Sequence, residues 1–204
     1  MIYIKPATFH VLTEYQQNKL KDCVKKMSEN PYTKMMLQKL IDSGDKLKFI
    51  YDPTQQGQAL FNKNTITFNS DAGMSPEQIT EELIHAMQYN LVYNHDMPNI
   101  INNYEYEAKT FEYLLCTFYD LDIRPNIQFI CFSKIASEFS TQQCLDYENL
   151  IEEIIHTKSL TPELEAKYHE FGDYWKTPFY NKPYDKNKKP ELIHYFFKHF
   201  YSHE

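Results

Sequence analysis

The stretch "NTITFNSDAGMSPEQITEELIHAMQ", residues 64–88, changes its period part-way along. Thr65-Ile66-Thr67-Phe68 alternates as a half-buried strand does. From Ser75 the spacing becomes helical. Ser75 is placed as N-cap, Pro76 at the first helical position, and Gln78 is placed to complete a capping box. At about 100° per residue, Ile79, Leu83, Ala86, Met87 and Leu91 share one face, while Gln78, Glu81, Glu82 and His85 fall in an arc on the other side. A strand running into an amphipathic helix implies an α+β chain.

Working outward, "QALFNKNTITFNS" (58–70) reads as a hairpin turning at "NKN", and "KLKFIYD" (46–52) as a strand closed by Pro53. Upstream, apolar residues at 9, 12, 20, 24 and 27 give a helical recurrence over 7–28. Pro31 breaks it, and a second helix resumes at Tyr32 and is stopped by Gly44. Downstream, the helix from Ser75 runs to about Tyr93, and another spans about 100–120. Further helices are expected over 126–139, 143–158 and 161–171. Residues 172–190, rich in Pro, Tyr, Asn and Lys, read as an extended aromatic loop before the amphipathic helix "ELIHYFFKHFY". The expectation is a single, predominantly helical α+β domain: N-terminal helices (7–44), a core carrying a small sheet (46–120) and a helical C-terminal part (121–204).

Composition narrows the function classes. With 204 residues, 42% of them apolar, the chain can bury a substantial core, and 17 Tyr and 14 Phe make it aromatic. A net charge of −7 without a basic stripe argues against nucleic acid, because phosphate binding needs clustered Lys and Arg. Cys23, Cys116, Cys131 and Cys144 form no C-x-x-C pair and read as thiols of a reducing compartment, with two disulfides as the alternative. The N-terminus lacks the apolar run of a signal peptide, and no stretch of about 18 apolar residues occurs. A cytoplasmic protein with no membrane contact is expected. No Gly-rich phosphate loop, G-x-S-x-G elbow or Cys/His dyad is present.

Two features point to a metal. Glu81 and His85 lie one turn apart, so their side chains can converge on one point, with Glu82 beside them. In the next helix Tyr104, Ala108, Phe111, Leu115 and Phe118 form the core stripe. Glu105 and Glu112 sit at its edge, but Glu107 projects into the apolar face between Phe118 and Leu114. A carboxylate buried there must be paired, protonated or bound to a cation. A salt bridge or hydrogen bond to Lys or Tyr elsewhere is the ordinary solution; a metal shared with Glu81 and His85 is the functional one.

Strand, hairpin, a helix with "EELIHAMQ" and a later helix with "NYEYEAKTF" together resemble the zincin metallopeptidases whose third ligand is Glu, the gluzincins, over about residues 46–120. The resemblance implies a metal-dependent hydrolase acting on peptides or proteins. It makes Glu82 the general base, His85 a ligand and Glu107 the third ligand, with "NTITFNSD" the edge strand lying along a bound peptide. The family's first histidine falls on Glu81, so E-E-x-x-H stands for H-E-x-x-H. One imidazole and two carboxylates suit Zn²⁺ but also Mn²⁺ or Fe²⁺, and they make the ion a weaker Lewis acid.

Two other readings follow from the same residues. A zincin-like module that has lost catalysis would bind a protein partner without turnover, and Glu81 is the feature favouring it. Alternatively, "ENLIEEIIHTK" holds a second E-E-x-x-H, Glu152 to His156. Glu82/His85 and Glu153/His156, with Glu105 or Glu107 and Glu14, are the parts of a di-iron carboxylate bundle. His194, His199 and His203 in the last helix, and Tyr174, Trp175, Tyr180 and Tyr184 in the aromatic loop, read as packing residues.

Overall fold

A computed structural model describes residues 8–10, 12–97, 100–123, 132, 135–136, 139–175 and 183–201. These residues form a predominantly helical α+β fold with one small sheet. They divide into two compact units, Met1–Asp96 with Tyr119–Ile127, and Met97–Phe118 with Gln128–Glu204.

The first unit holds β1 (Thr8–His10), α1 (Glu14–Glu29), α2 (Pro31–Asp42), β2 (Lys48–Tyr51), β3 (Ala59–Asn62), β4 (Thr65–Phe68) and α3 (Pro76–Met87). The sheet order is β1-β2-β4-β3, with β1, β2 and β4 parallel and β3 antiparallel to β4. Residues 8–10, expected to start a helix, instead add a strand to β2, Phe9 opposite Phe49. The helix begins only where Thr13 and Gln16 form a reciprocal capping box. A three-residue strand is too short for its alternation to show. Leu12, Leu20, Val24 and Met27 of the expected stripe are buried nonetheless.

Asn30 caps α2 by accepting from Tyr32 N and Thr33 N. That helix ends at Asp42, and Gly44 follows at φ +78°. The expected hairpin is present. Lys63 and Asn64, φ 45° and 64°, form a two-residue turn of the kind that matches strand twist. Strand β4 is therefore interior to the sheet, and β3 forms its edge, a correction to the expectation that "NTITF" is the edge strand. Between β4 and α3 the chain passes close to the Gln58 backbone. A Cβ on Gly73 would lie 2.2 Å from the Gln58 carbonyl oxygen, so only glycine fits.

The second unit holds α4 (Ile101–Phe118), α5 (Thr141–Thr157), α6 (Pro162–Tyr174) and α7 (Glu191–Tyr201). Ser140 with Gln143 makes the capping box of α5, and Thr161 caps α6 ahead of Pro162. Its core is aromatic: Tyr106, Phe111, Tyr147, Tyr168 and Phe196 are buried. Tyr147 donates to Thr110 Oγ1 at 2.9 Å, and Tyr106 donates to the Tyr168 carbonyl at 3.3 Å. The helix expected over 126–139 lies mostly outside the described residues, as do Cys131, Tyr180 and His203. Cys23, Cys116 and Cys144 are thiols, not disulfides. No helix among the described residues is long and apolar enough to cross a membrane.

Candidate metal site

Ser75 caps α3 by accepting from Gln78 N at 3.4 Å, as its sequence requires. The Gln78 side chain, expected to close a capping box, turns instead along the helix and donates to Glu81 Oε2 at 3.0 Å. One turn past Glu81, His85 Nδ1 lies 2.8 Å from Gln88 Oε1. After Met87 the helix loosens into a π turn, Gln88–Val92, in which Tyr93 N bonds to the Gln88 carbonyl at 3.0 Å. Such turns often mark functional sites. This one is held to the hairpin: Asn90 donates to Asn64 Oδ1 at 2.7 Å, and the Tyr89 ring meets Phe61 edge-on.

The polar arc of α3 is not a solvated face. Glu77, Glu81, Glu82 and His85 are all buried, at 5–7% exposure, alongside the expected core residues Ile79, Leu83, Ala86 and Met87. A helix buried all round with three carboxylates and an imidazole must satisfy them by pairing, protonation or a cation.

Within the first unit, Glu81 and His85 each offer one ligand atom, and the two lie within 4.8 Å of one another, a pair that could share a metal ion. Glu105 and Glu107, two residues apart on α4 in the second unit, lie on nearly opposite faces of their helix.

Glu107 is buried, 2% exposed, as the apolar stripe implies, and its chemistry is different. Its Oε1 accepts from Leu192 N at 2.7 Å and Ile193 N at 3.3 Å, in the first turn of α7. That turn follows Pro190, which has no side-chain oxygen to cap it, and a carboxylate meets both the orphan N–H groups and the positive end of the helix dipole. Burial raises the Tyr168 and Tyr184 phenols well above their ordinary range, and the Glu107 charge adds to it. Glu112, expected at a solvated edge, is fully buried.

Of the residues that the di-iron reading needs, three lie at the surface. Glu153 and His156 are exposed, Glu153 meets Lys167 at 3.3 Å, and Glu14 is exposed in the first turn of α1. The histidines of α6 and α7 have local partners: Glu165 takes His194 Nε2 at 3.0 Å and lies 3.6 Å from His169 Nε2, while His199 stacks on Tyr195. In the aromatic loop, Trp175 is buried, Tyr174 is half-exposed, and the Tyr184 hydroxyl lies 2.7 Å from His169 Nδ1. Gln88 is the neighbour of His85 that the sequence reading did not single out. An i+3 carboxamide beyond the histidine was the available signal for Gln88. In comparison with known proteins, the chain matches no family model, no curated protein and no solved structure.

Proposed function

We propose that this protein is a divalent-metal-dependent hydrolase of zincin-like character, with Glu81 and His85 as metal ligands and Glu82 as the proton carrier. The observation that carries the reading is the convergence of two ligand atoms from one turn of a buried helix face. These donors fit a divalent ion. A carboxylate oxygen and an imidazole nitrogen serve Zn²⁺, Mn²⁺ or Fe²⁺, and His85, with Nδ1 engaged by Gln88, presents Nε2 as its donor.

A bound ion supplies Lewis acidity, polarising a substrate carbonyl and making water easier to deprotonate, an effect that an anionic ligand tempers. Everything else falls to the chain. Glu82 follows Glu81 directly and lies about 60° around the helix from His85, so its carboxylate faces the same region. It takes the proton of the attacking water and returns it to the leaving amine. Peptide bonds are the substrate class that the E-x-x-H helix and its preceding hairpin suggest by resemblance.

Elemental analysis of the purified protein, after incubation with Zn²⁺ or Mn²⁺, tests the reading. One equivalent of metal is expected, lost in His85→Ala and Glu81→Ala. It should be retained in Glu82→Gln, which loses hydrolysis of a mixed peptide library. An absence of metal in the parent protein overturns the site. Metal without turnover in the parent leaves a binding module in place of the enzyme.

A further inference from the structure

Along one stripe of α3 and its π turn stand Gln78, Glu81, His85 and Gln88, at spacings of three, four and three residues. The inner two are the metal-ligand pair. The outer two are carboxamides, each bonded to its inner neighbour: Gln78 Nε2 to Glu81 Oε2 at 3.0 Å, and His85 Nδ1 to Gln88 Oε1 at 2.8 Å. We infer that Gln88 is the positioning residue of this site, fixing His85 as the Nδ1–H tautomer so that Nε2 carries the lone pair a metal needs. The inference rests on the metal-binding reading above.

A neutral imidazole in water prefers its proton on Nε2, which would leave Nδ1, pointing along its own helix, as the donor. An amide oxygen beside Nδ1 accepts a hydrogen bond only if that nitrogen carries the proton. Metal-ligating histidines are ordinarily oriented in this way by an acceptor on the far ring nitrogen. Here the acceptor is neutral, so the site gains orientation without a further negative charge beside Glu81 and Glu82.

Gln88 is held for the task. It is fully buried and opens the π turn, whose wider winding sets where its side chain leaves the helix. The next residues are fastened to the hairpin by Asn90–Asn64 and Tyr89–Phe61, and Asn90 also donates to the Ala86 carbonyl at 2.8 Å. Gln78, by contrast, is partly exposed and bonds to a ligand that needs no tautomer fixed, so it orients Glu81 without selecting its chemical form.

The test uses metal-free, ¹⁵N-labelled full-length protein, with the His85 ring signals identified by their loss in His85→Gln. Two-bond ¹H–¹⁵N correlation in the parent should show Nδ1 protonated and Nε2 bare. An Nε2–H tautomer there would mean the Gln88 amide donates to the ring, and it would overturn the inference without any variant. In Gln88→Leu the tautomer should revert to Nε2–H and Zn²⁺ affinity, by chelator competition, should fall about 10–100-fold. Gln88→Glu, which keeps an acceptor, should retain both the Nδ1–H tautomer and the affinity. Equal tautomer and affinity in the Leu variant would reduce Gln88 to packing. If the parent binds no Zn²⁺, the metal reading falls, while the tautomer of His85 still decides whether Gln88 orients it.

Discussion

Glu107 separates what a residue's position reveals from what it conceals. The apolar stripe of α4 correctly implies that Glu107 is buried. It cannot name the partner, because the N–H groups that Glu107 meets belong to residues 85 and 86 positions further along. The clue lay in "KKPEL", a helix start with no Ser, Thr, Asp or Asn to cap it. Removing Glu107 should therefore cost stability and leave metal content alone. Glu107→Ala orphans two buried N–H groups, each costing about 1–3 kcal/mol. Glu107→Gln keeps an acceptor but loses the charge–dipole attraction of about 0.3–1 kcal/mol. Urea titrations of the metal-free variants should rank Ala below Gln below the parent, with metal stoichiometry unchanged in all three. Loss of metal in Glu107→Gln would make Glu107 a ligand after all.

At the scale of the element, capping chemistry was the most legible signal. Ser75-Pro76 and the "NKN" turn appear where their residues place them, because each acts within four residues of chain. Pro31, expected to break the chain between two helices, instead opens α2 behind the Asn30 cap. The short strand β1 and the burial of the polar face of α3 were not legible, since both depend on segments remote in sequence. A second consequence belongs to α6. There His169 is hydrogen-bonded to Tyr184, whose ring rests on Gly172 so closely that a Cβ would come within 2.4 Å of it. Burial lowers the His169 pKa, which Glu165 and Asp173 oppose and Lys186, paired with Asp173, reinforces. The sign follows directly. Unfolded His169 takes up a proton as pH falls through about 6.5, whereas the folded ring takes it up only at lower pH. The unfolded state then holds more protons, so stability is full above about 6.5 and declines below it. Thermal unfolding of the metal-free protein from pH 7.5 to 5 should show this decline, reduced in His169→Gln. Parallel profiles for the two proteins would remove His169 from the acid response.

For the molecule as a whole, net charge sets the terms on which metal binding can be recognised. A chain at −7 attracts any divalent cation to its surface, and a bare rise in melting temperature with added metal would prove little. Surface attraction and a site differ in two physical respects. Diffuse binding is screened at 0.15 M salt, where the Debye length is about 8 Å, and it does not depend on one imidazole. A buried site stabilises the folded state by RT ln(1 + [L]/Kd), about 2.7 kcal/mol at a hundredfold excess over Kd. For a chain of this length that corresponds to a shift of about 5–10 °C. Zn²⁺ or Mn²⁺ at physiological salt should therefore raise the melting temperature of the parent in proportion to the logarithm of its concentration. His85→Ala should not respond. Mg²⁺, which dehydrates reluctantly and is poorly served by an imidazole ligand, should give little in either protein. An equal rise in parent and variant would assign the whole effect to surface charge, and the acidic helix face would then be buried for packing alone.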